Sequence, residues 1–251
     1  MGNLTEVQKN FGQRAKNYRV SSTHNNPADL RRMIRLLDPQ PHDTALDAAT
    51  GGGHTAVALA KHAEKVIAVD ITREMLTEAA AAAGQAGAAN IVFQAEDVHA
   101  LSFHDNTFDL VASRFAPHHF SHIQKALQEM CRVLKPGGKL YILDCSVWDG
   151  DETEEAMNHI EKIRDSSHIC SYSPRRWRRL LAGLPLSLTH EKLLQTAYEL
   201  PIWFERMGAG PQVQKEIFQI LNELSDESKA RYPFGPDFIT TYRFEAAAVK
   251  I

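Results

Sequence analysis

Residues 45–56 read ALDAATGGGHTA, so three consecutive glycines directly follow a short apolar run. A glycine-rich first turn of this kind lets the backbone approach a ligand closely, outside the carboxyl end of the strand before it. The carboxylate of Asp47 stands at the mouth of that turn. The stretch predicts a strand, a binding turn and a helix, and the acid bears on which ligand the turn holds.

Strand and helix patterns alternate strictly around the glycines. Apolar runs predict strands at residues 44–49, 65–70, 90–97, 108–114 and 139–147, and helical spacing predicts helices at residues 54–63, 72–87 and 121–134. Asn26 and Pro27 are a suitable N-cap and first turn for an earlier helix over residues 27–37. Such alternation is typical of βαβ units, in which helices cover both faces of a parallel sheet.

The rhythm changes after Val147. Helical patterns cover residues 151–168 and 175–184, an extended run covers 188–200, and a strand rich in β-branched and aromatic residues covers 237–251. We therefore expect an α/β, doubly wound, Rossmann-like fold with seven mostly parallel strands and an antiparallel last strand. We expect one domain over residues 1–251, with an N-terminal helical cap (1–37) and a helical insertion (201–236) between the last two strands that forms a lid.

The composition is that of an ordinary soluble protein. The 251 residues are 43% hydrophobic and 24% charged, with a formal net charge of -3, so no strong positive field is present to attract nucleic acid. No apolar run has signal-peptide or membrane-spanning length, and the three cysteines form no C-x-x-C pair. We expect a cytoplasmic protein without stable membrane insertion, a nucleic-acid partner, a disulfide framework or structural zinc.

The glycine turn alone fits two classes of cofactor. Gly51, Gly53 and Ala56 match the dinucleotide fingerprint, and Asp70 follows at the end of the second strand, about 20 residues on. A dinucleotide would bring a pyrophosphate with about two negative charges against Asp47, which would repel it. S-adenosylmethionine carries a sulfonium and no phosphate, so the same acid attracts it. Asp47 therefore favours the adenosyl cofactor, and a nicotinamide (NAD)-dependent oxidoreductase stays as the alternative.

Two further acids follow the next two strands. Asp70 ends the second strand, where a carboxylate can accept hydrogen bonds from both ribose hydroxyls, and Asp97 follows the third strand, where it could accept one from an adenine amino group. Each acid alone could instead cap a helix or a turn. Together with the glycines, the three acids favour a nucleoside-binding edge of the sheet.

Several motifs over residues 45–144 resemble those of class I S-adenosylmethionine-dependent methyltransferases. LDAATGGG is similar to the first motif, VIAVDITREML to the second, EDVHALSFHDNTFDLV to the third and fourth, and RVLKPGGKL to the turn into strand five. Ala49 stands where this family usually has its first glycine, a departure that also occurs in the group that methylates ubiquinone and menaquinone precursors. The resemblance implies methyl transfer from S-adenosylmethionine to a small organic acceptor that is O-, C-, N- or S-centred.

The resemblance also implies which residues contact the cofactor. It places Asp47, Ala49, Gly51 and Gly53 at the methionine end, Asp70 at the ribose, Ile71 and Met75 at the apolar faces near the adenine, Asp97 and Val98 at the adenine edge, and Arg114 near the cofactor. Tyr18 resembles an N-terminal aromatic residue that closes over the methionine end in relatives. Packing of an N-terminal helix on the core is the alternative for Tyr18.

Two histidines follow the fourth strand, where the acceptor would sit. His119 is our candidate for a catalytic base or an acceptor-orienting group, and a role in helix entry or packing is the alternative. His118 and His122 have the i,i+4 spacing of a helical pair of ligands. Because spacing fixes no third ligand, we expect no metal.

The segment after the fourth strand also bears on the acceptor. Its sequence, SRFAPHH, lacks the Asn/Asp-Pro-Pro-aromatic signature of enzymes of this fold that methylate amino groups of nucleic acids. A small-molecule acceptor is therefore expected. The sequence leaves open a non-catalytic protein that only binds S-adenosylmethionine, and it leaves the oligomeric state open, a homodimer included.

Overall fold

One seven-stranded sheet organises the structure, a computed structural model that describes Gly12, Ala15 and residues 23–251. The strands are β1 (Thr44–Ala48), β2 (Lys65–Asp70), β3 (Ile91–Ala95), β4 (Phe108–Arg114), β5 (Leu134–Ser146), β6 (Leu186–Glu199) and β7 (Phe238–Lys250). Their order across the sheet is β3-β2-β1-β4-β5-β7-β6. Strands β1 to β5 pair in parallel, and β7 is antiparallel to both β5 and β6. The predicted doubly wound fold is confirmed.

Helices connect the strands. They are α1 (Pro27–Leu37), α2 (His54–Leu59), α3 (Arg73–Ala86), α4 (Ile123–Val133), α5 (Asp151–Arg164), α6 (Pro174–Ala182), α7 (Leu200–Met207), α8 (Pro211–Glu223) and α9 (Asp226–Arg231). α1 begins as the sequence predicts, because the Asn26 side chain accepts hydrogen bonds from the backbone N–H groups of Ala28 and Asp29. Within residues 23–251, no helix has both the length and the apolar character that crossing a bilayer requires.

Several element boundaries differ from the sequence prediction, among them the end of α2 and the start of β5. α2 ends at Leu59, and the side-chain amide of Asn90 donates hydrogen bonds to the carbonyls of Ala60 and Ala63 beyond that end. β5 begins at Leu134, before the predicted residues 139–147, because pairing with β4 extends through the Pro-Gly-Gly segment with a register shift. Pairing with β4 therefore sets the start of β5.

Both faces of the sheet are packed. One face carries a cluster of buried apolar side chains that includes Leu127 of α4 and Trp177 of α6. The opposite face packs against Met33 and Leu37 of α1 and Leu59 of α2. Because the central strands are buried on both faces, they read as nearly continuous apolar runs, and polar binding groups stand at their ends.

Helices α7, α8 and α9 connect β6 to β7. Their side chains Trp203, Phe204, Ile217 and Tyr232 are buried in a third apolar cluster, which Ile160 of α5 joins. These aromatic groups therefore stabilise the insertion itself. A role of the insertion as a lid over bound ligands stays a prediction.

Candidate active site

A pocket opens at the carboxyl ends of β1, β2 and β4, where the glycine turn leaves β1. Nine residues predicted for the site line this pocket: Ala49, Gly51, Asp70, Ile71, Met75, Asp97, Val98, Arg114 and His119. Asp47 and Gly53 are not on its described wall, and Tyr18 lies outside the described residues. The strand ends bring most of the predicted residues together around one cavity.

The turn from β1 into α2 runs through left-handed backbone conformations. The φ angles of Ala49, Gly51 and Gly53 are 61°, 52° and 84°. Alanine at position 49 thus adopts a conformation that favours glycine, at a cost of about 1 kcal/mol. Gly53 meets a second constraint, because a Cβ there would lie 2.9 Å from the Cβ of Ala79 on α3. Gly53 therefore permits the close approach of α3 to the start of α2.

We expect Gly53→Ala to lower the free energy of unfolding by about 2 kcal/mol, through left-handed strain and overlap with Ala79. Gly51→Ala is the matched control, because its φ is also positive but nothing lies within 4 Å of the added Cβ. The control should lose about 1 kcal/mol. Urea titration of the two variants measures the difference, and equal losses would show that the overlap with Ala79 relaxes without cost.

Asp47 is buried beneath the turn and ties it to α2. Its Oδ2 accepts hydrogen bonds from the Thr50 hydroxyl at 2.6 Å and from the backbone N–H of Ala56 at 3.0 Å. Burial raises the pKa of Asp47 to about 6, although the hydrogen bonds and the Arg114 charge act in the opposite direction. Since Ala56 lies in the first turn of α2, this carboxyl group already occupies the helix N-terminus, where a phosphate would otherwise bind.

Asp70 connects the end of β2 to the glycine turn. Its Oδ2 accepts a hydrogen bond from the backbone N–H of Gly51 and its Oδ1 from that of Thr72, both at 2.9 Å. Burial raises the pKa of Asp70. The next acid, Asp97, is similarly engaged, because its Oδ1 lies 2.9 Å from the backbone nitrogen and 2.6 Å from Nδ1 of His99. Both carboxylates line the pocket, where ligand hydroxyl or amino groups can reach them.

Arg114, at the end of β4, is a buried cation with spare hydrogen-bond donors. It is only 7% exposed, and its Nη1 donates hydrogen bonds to the Thr55 hydroxyl at 3.2 Å and to the His24 carbonyl at 3.4 Å. Nε and Nη2 have no hydrogen-bond partner among the described residues. Buried N–H groups without partners are costly, and the planar fork of a guanidinium matches a carboxylate. Arg114 is therefore suited to pair with a ligand carboxylate, a role that its position in the sequence did not by itself indicate.

His119 follows β4 in a short 3-10 turn and lines the pocket beside Phe120. Its Nδ1 lies 3.2 Å from the carbonyl oxygen of Ser167. A carbonyl oxygen only accepts hydrogen bonds, so Nδ1 carries the hydrogen and Nε2 is the acceptor nitrogen of the neutral ring. Burial and the charge of the neighbouring His118 lower the pKa of His119 to about 3. This wall of the pocket therefore contains a neutral imidazole.

His118 has a partner that its spacing to His122 did not suggest. Its Nδ1 lies 2.6 Å from Oδ1 of Asp144 on β5, and both side chains are buried. Burial alone would lower the pKa of His118, but Asp144, with Cys145 beside it, raises this pKa well above its usual value. Asp144 is absent from the residues predicted for the site. Its place near the carboxyl end of a parallel strand next to β4 is the sequence signal that could have found it.

Comparisons with known proteins identify the family of the chain. A family model described as a methyltransferase domain matches residues 39–199. The uncharacterized methyltransferase YcgJ of Bacillus subtilis is 31% identical over 87% of this chain and 87% of its own length. Its crystal structure gives a TM-score of 0.82 at 28% identity, covering 88% of this chain and 97% of that one. The ubiquinone/menaquinone biosynthesis C-methyltransferase UbiE of Zymomonas mobilis is 38% identical over 47% of this chain and 49% of its own length. The chain belongs to the family of S-adenosylmethionine-dependent methyltransferases.

Proposed function

We propose that the pocket binds S-adenosylmethionine and that the protein transfers the methyl group to a small organic acceptor. Arg114 carries the proposal, because two of its buried nitrogens lack a partner among the described residues and it lines the same pocket as the glycine turn. The carboxylate at the amino-acid end of the cofactor would pair with those donors. The residues present therefore fit this cofactor.

The other residues of the pocket support the same ligand. Asp70 lies at the end of β2, where a ribose hydroxyl can donate to its carboxylate, and Asp97 lies after β3, within reach of an adenine amino group. Ile71 and Met75 supply apolar surface for the adenine ring, and Val98 lies next to Asp97. The proposed contact of Tyr18 with the methionine end concerns a residue outside the described part of the chain.

The position of Asp47 favours this ligand over a dinucleotide. In dinucleotide-binding folds the pyrophosphate lies on the helix N-terminus that follows the glycine turn. Here the Asp47 carboxyl group accepts a hydrogen bond from Ala56 at that terminus, and a second acid, Asp70, binds the N–H of Gly51. A pyrophosphate would meet two acids, whereas a sulfonium and an ammonium group would be attracted by them.

When bound, S-adenosylmethionine would supply a methyl group on a sulfonium: the acceptor atom would bond to that carbon with its own electron pair, the sulfur would keep the pair of the broken S–C bond, and any proton on the acceptor would be released to solvent with the product. The protein's own residues align the two reactants and exclude water from them. His119 lies beside the apolar Ala116 and Phe120 on the pocket wall. A neutral ring with a lowered pKa is a weak base, so we assign His119 to orienting the acceptor through a hydrogen bond to Nε2 rather than to storing its proton.

Calorimetric titration tests the cofactor assignment. We expect S-adenosylmethionine and S-adenosylhomocysteine to bind, and NAD to give no measurable heat of binding. Binding of NAD without binding of either adenosyl ligand would overturn the proposal in favour of an oxidoreductase.

Methyl transfer itself is tested with cofactor carrying a labelled methyl group. The labelled cofactor is incubated with the protein and small-molecule extracts, and products are followed by mass spectrometry. We expect a labelled small molecule that depends on the protein. Absence of labelled product across extracts, despite tight cofactor binding, would favour a protein that only binds the cofactor.

A further inference from the structure

Three histidine rings and one aspartate form a buried polar cluster at the acceptor end of the pocket. The ring centroid of His118 lies 3.9 Å from that of His119 and 5.7 Å from that of His168. Only His119 of these three lines the described pocket. His118 and His168 are buried behind it, next to Asp144. Such a cluster is costly to bury unless its charges and hydrogen bonds are matched.

We propose that the His118–Asp144 pair is a positioning pair, which keeps the proton of the cluster on His118 and so holds His119 as a neutral, oriented ring toward the methyl acceptor. The assignment of His119 to an acceptor rests on the proposed function. The claim that the His118–Asp144 pair controls the protonation of His119 is independent of the proposed function.

Asp144 directs its charge at His118. The 2.6 Å separation of Nδ1 and Oδ1 is that of a short, charge-assisted hydrogen bond. The other oxygen, Oδ2, is buried without a hydrogen-bond partner among the described residues, and burial raises the pKa of Asp144 while the His118 ring acts in the opposite direction. A carboxylate held in this way stabilises positive charge on the ring that it contacts, so His118 is the favoured site for a proton in this cluster.

The other two rings are held in neutral, defined tautomers. Nδ1 of His119 faces the Ser167 carbonyl at 3.2 Å, and Nε2 of His168 lies 3.0 Å from Oδ1 of Asn158. Both oxygens are acceptors, since the side-chain amide nitrogen of Asn158 donates elsewhere; each therefore fixes the hydrogen on the ring nitrogen that it faces. A second proton on either ring would lie beside the charge of His118. Burial and that charge lower the pKa of both His119 and His168.

Charged and titratable groups from neighbouring elements also face the cluster. They are Asp144 and Cys145 from β5, Lys162 and Arg164 from α5, and Asp165 after it. Asp165 alone opposes the arrangement by favouring charge on His119, but its carboxylate already accepts hydrogen bonds from the backbone and the hydroxyl of Ser167. The balance keeps His119 neutral.

The same geometry argues against a metal ion between these groups. Ligand atoms of His118, Asp144 and Cys145 lie within 4.8 Å of one another. Two ligands of one tetrahedral ion, each at about 2.0 Å, are separated by roughly 3.3 Å. Nδ1 and Oδ1 are closer than that, at 2.6 Å, which is the spacing of a proton held between them.

Nuclear magnetic resonance of the full-length protein with ¹⁵N-labelled histidine tests the pair without needing an acceptor. In the unaltered protein we expect the His119 ring to stay neutral, with its hydrogen on Nδ1, at every pH from 5.5 to 8. In Asp144→Asn, loss of the neighbouring His118 charge should raise the pKa of His119 by about two units or more, so that a protonated fraction appears at the acid end of this range while the neutral form keeps its hydrogen on Nδ1. An unchanged His119 titration in Asp144→Asn would overturn the proposal.

Asp97→Asn is the matched control, because it removes the carboxylate of another His–Asp contact of 2.6 Å, that with His99. It should leave the His119 titration unchanged, and an equal effect of both substitutions would also overturn the proposal. If Asp144→Asn does not fold, His118→Gln is the second variant. It removes the charged ring itself instead of the carboxylate partner of the ring, and it should raise the pKa of His119 in the same way.

Calorimetry on the same samples separates this inference from the proposed function. Asp144 does not line the described pocket, so Asp144→Asn should bind S-adenosylhomocysteine within about twofold of the unaltered protein. Failure of the unaltered protein to bind this ligand would count against the proposed function alone. Loss of binding in Asp144→Asn with an unchanged His119 spectrum would show a structural role and count against the inference alone.

Discussion

Arg114→Met is expected to bind S-adenosylhomocysteine about 100-fold more weakly, because the variant loses a charge-assisted pair of hydrogen bonds in a buried site. 5′-Methylthioadenosine carries the same adenosine but no amino-acid carboxylate, so its affinity should change by less than about twofold. Calorimetry with the two ligands at pH 8 measures both values. A high pH is chosen because removal of the Arg114 charge raises the pKa of Asp47 further.

The stability of the ligand-free Arg114 variant should change in the other direction. Nε and Nη2 are buried without partners among the described residues, so an apolar side chain of similar length removes a desolvation penalty. We expect thermal unfolding at an equal or higher temperature than in the unaltered protein. Arg114→Lys is the matched control, because it keeps the charge but not the two-donor fork, and it should recover only part of the affinity. Equal losses for both ligands would show that Arg114 shapes the pocket instead of recognising a carboxylate.

Asp47→Asn is expected to weaken S-adenosylmethionine binding about 100-fold at pH 7.5, because it removes a buried charge that attracts the sulfonium and ammonium groups. Asparagine keeps an oxygen that can accept the hydrogen bond of Ala56, so the turn should survive. Since the pKa of Asp47 is about 6 without ligand, the unaltered protein should lose about tenfold in affinity on going from pH 7.5 to pH 5. The variant should show no such dependence. Parallel pH profiles for the two proteins would remove Asp47 from cofactor recognition.

Asp47 also predicts that the stability of the ligand-free protein changes with pH in the direction opposite to the cofactor affinity. Folding raises the pKa of Asp47 from 3.8 to about 6, so between these values the folded protein retains a proton that the unfolded chain releases. Stability therefore falls as pH rises through this window, by about 2 kcal/mol from this group. Thermal unfolding of the protein and of Asp47→Asn at pH 4 and pH 6.5 isolates the contribution. A difference between the two proteins that is the same at both pH values would contradict a buried, protonated Asp47.

Much of the fold follows from local sequence pattern. KVIAVD and FDLVASR form strands over the predicted residues because buried parallel strands need continuous apolar runs. The parallel order also places residues that follow different strands at one edge, which is why Asp70, Asp97 and Arg114 line one pocket. Position along each strand was sufficient to bring these side chains together.

Side-chain pairing could not be predicted in the same way. Asp47 accepts hydrogen bonds from Thr50 and Ala56 beneath the turn, and the sequence did not indicate these partners. His118 and Asp144 are 26 positions apart and lie on different elements. Their contact depends on how the 3-10 turn after β4 packs against β5, which no local pattern records. The sequence therefore indicated which edge of the sheet carries the candidate site. The hydrogen-bond and ion-pair partners of the charged residues could be identified only from the packed structure.

The contact between Gly53 and Ala79 links the glycine loop to the alanine-rich helix α3. Ala79 is fully buried, and its Cβ lies where a side chain at position 53 would have to go. In related sequences, positions 53 and 79 should therefore vary as a pair, with a larger residue at one tolerated only if the other stays minimal. The run of alanines is then more than a neutral filler of helix. Ala79 sets how near α3 can come to the glycine loop, and changes in the size of residue 79 offer a way to tune the loop's spacing in engineered variants without altering any residue of the pocket wall.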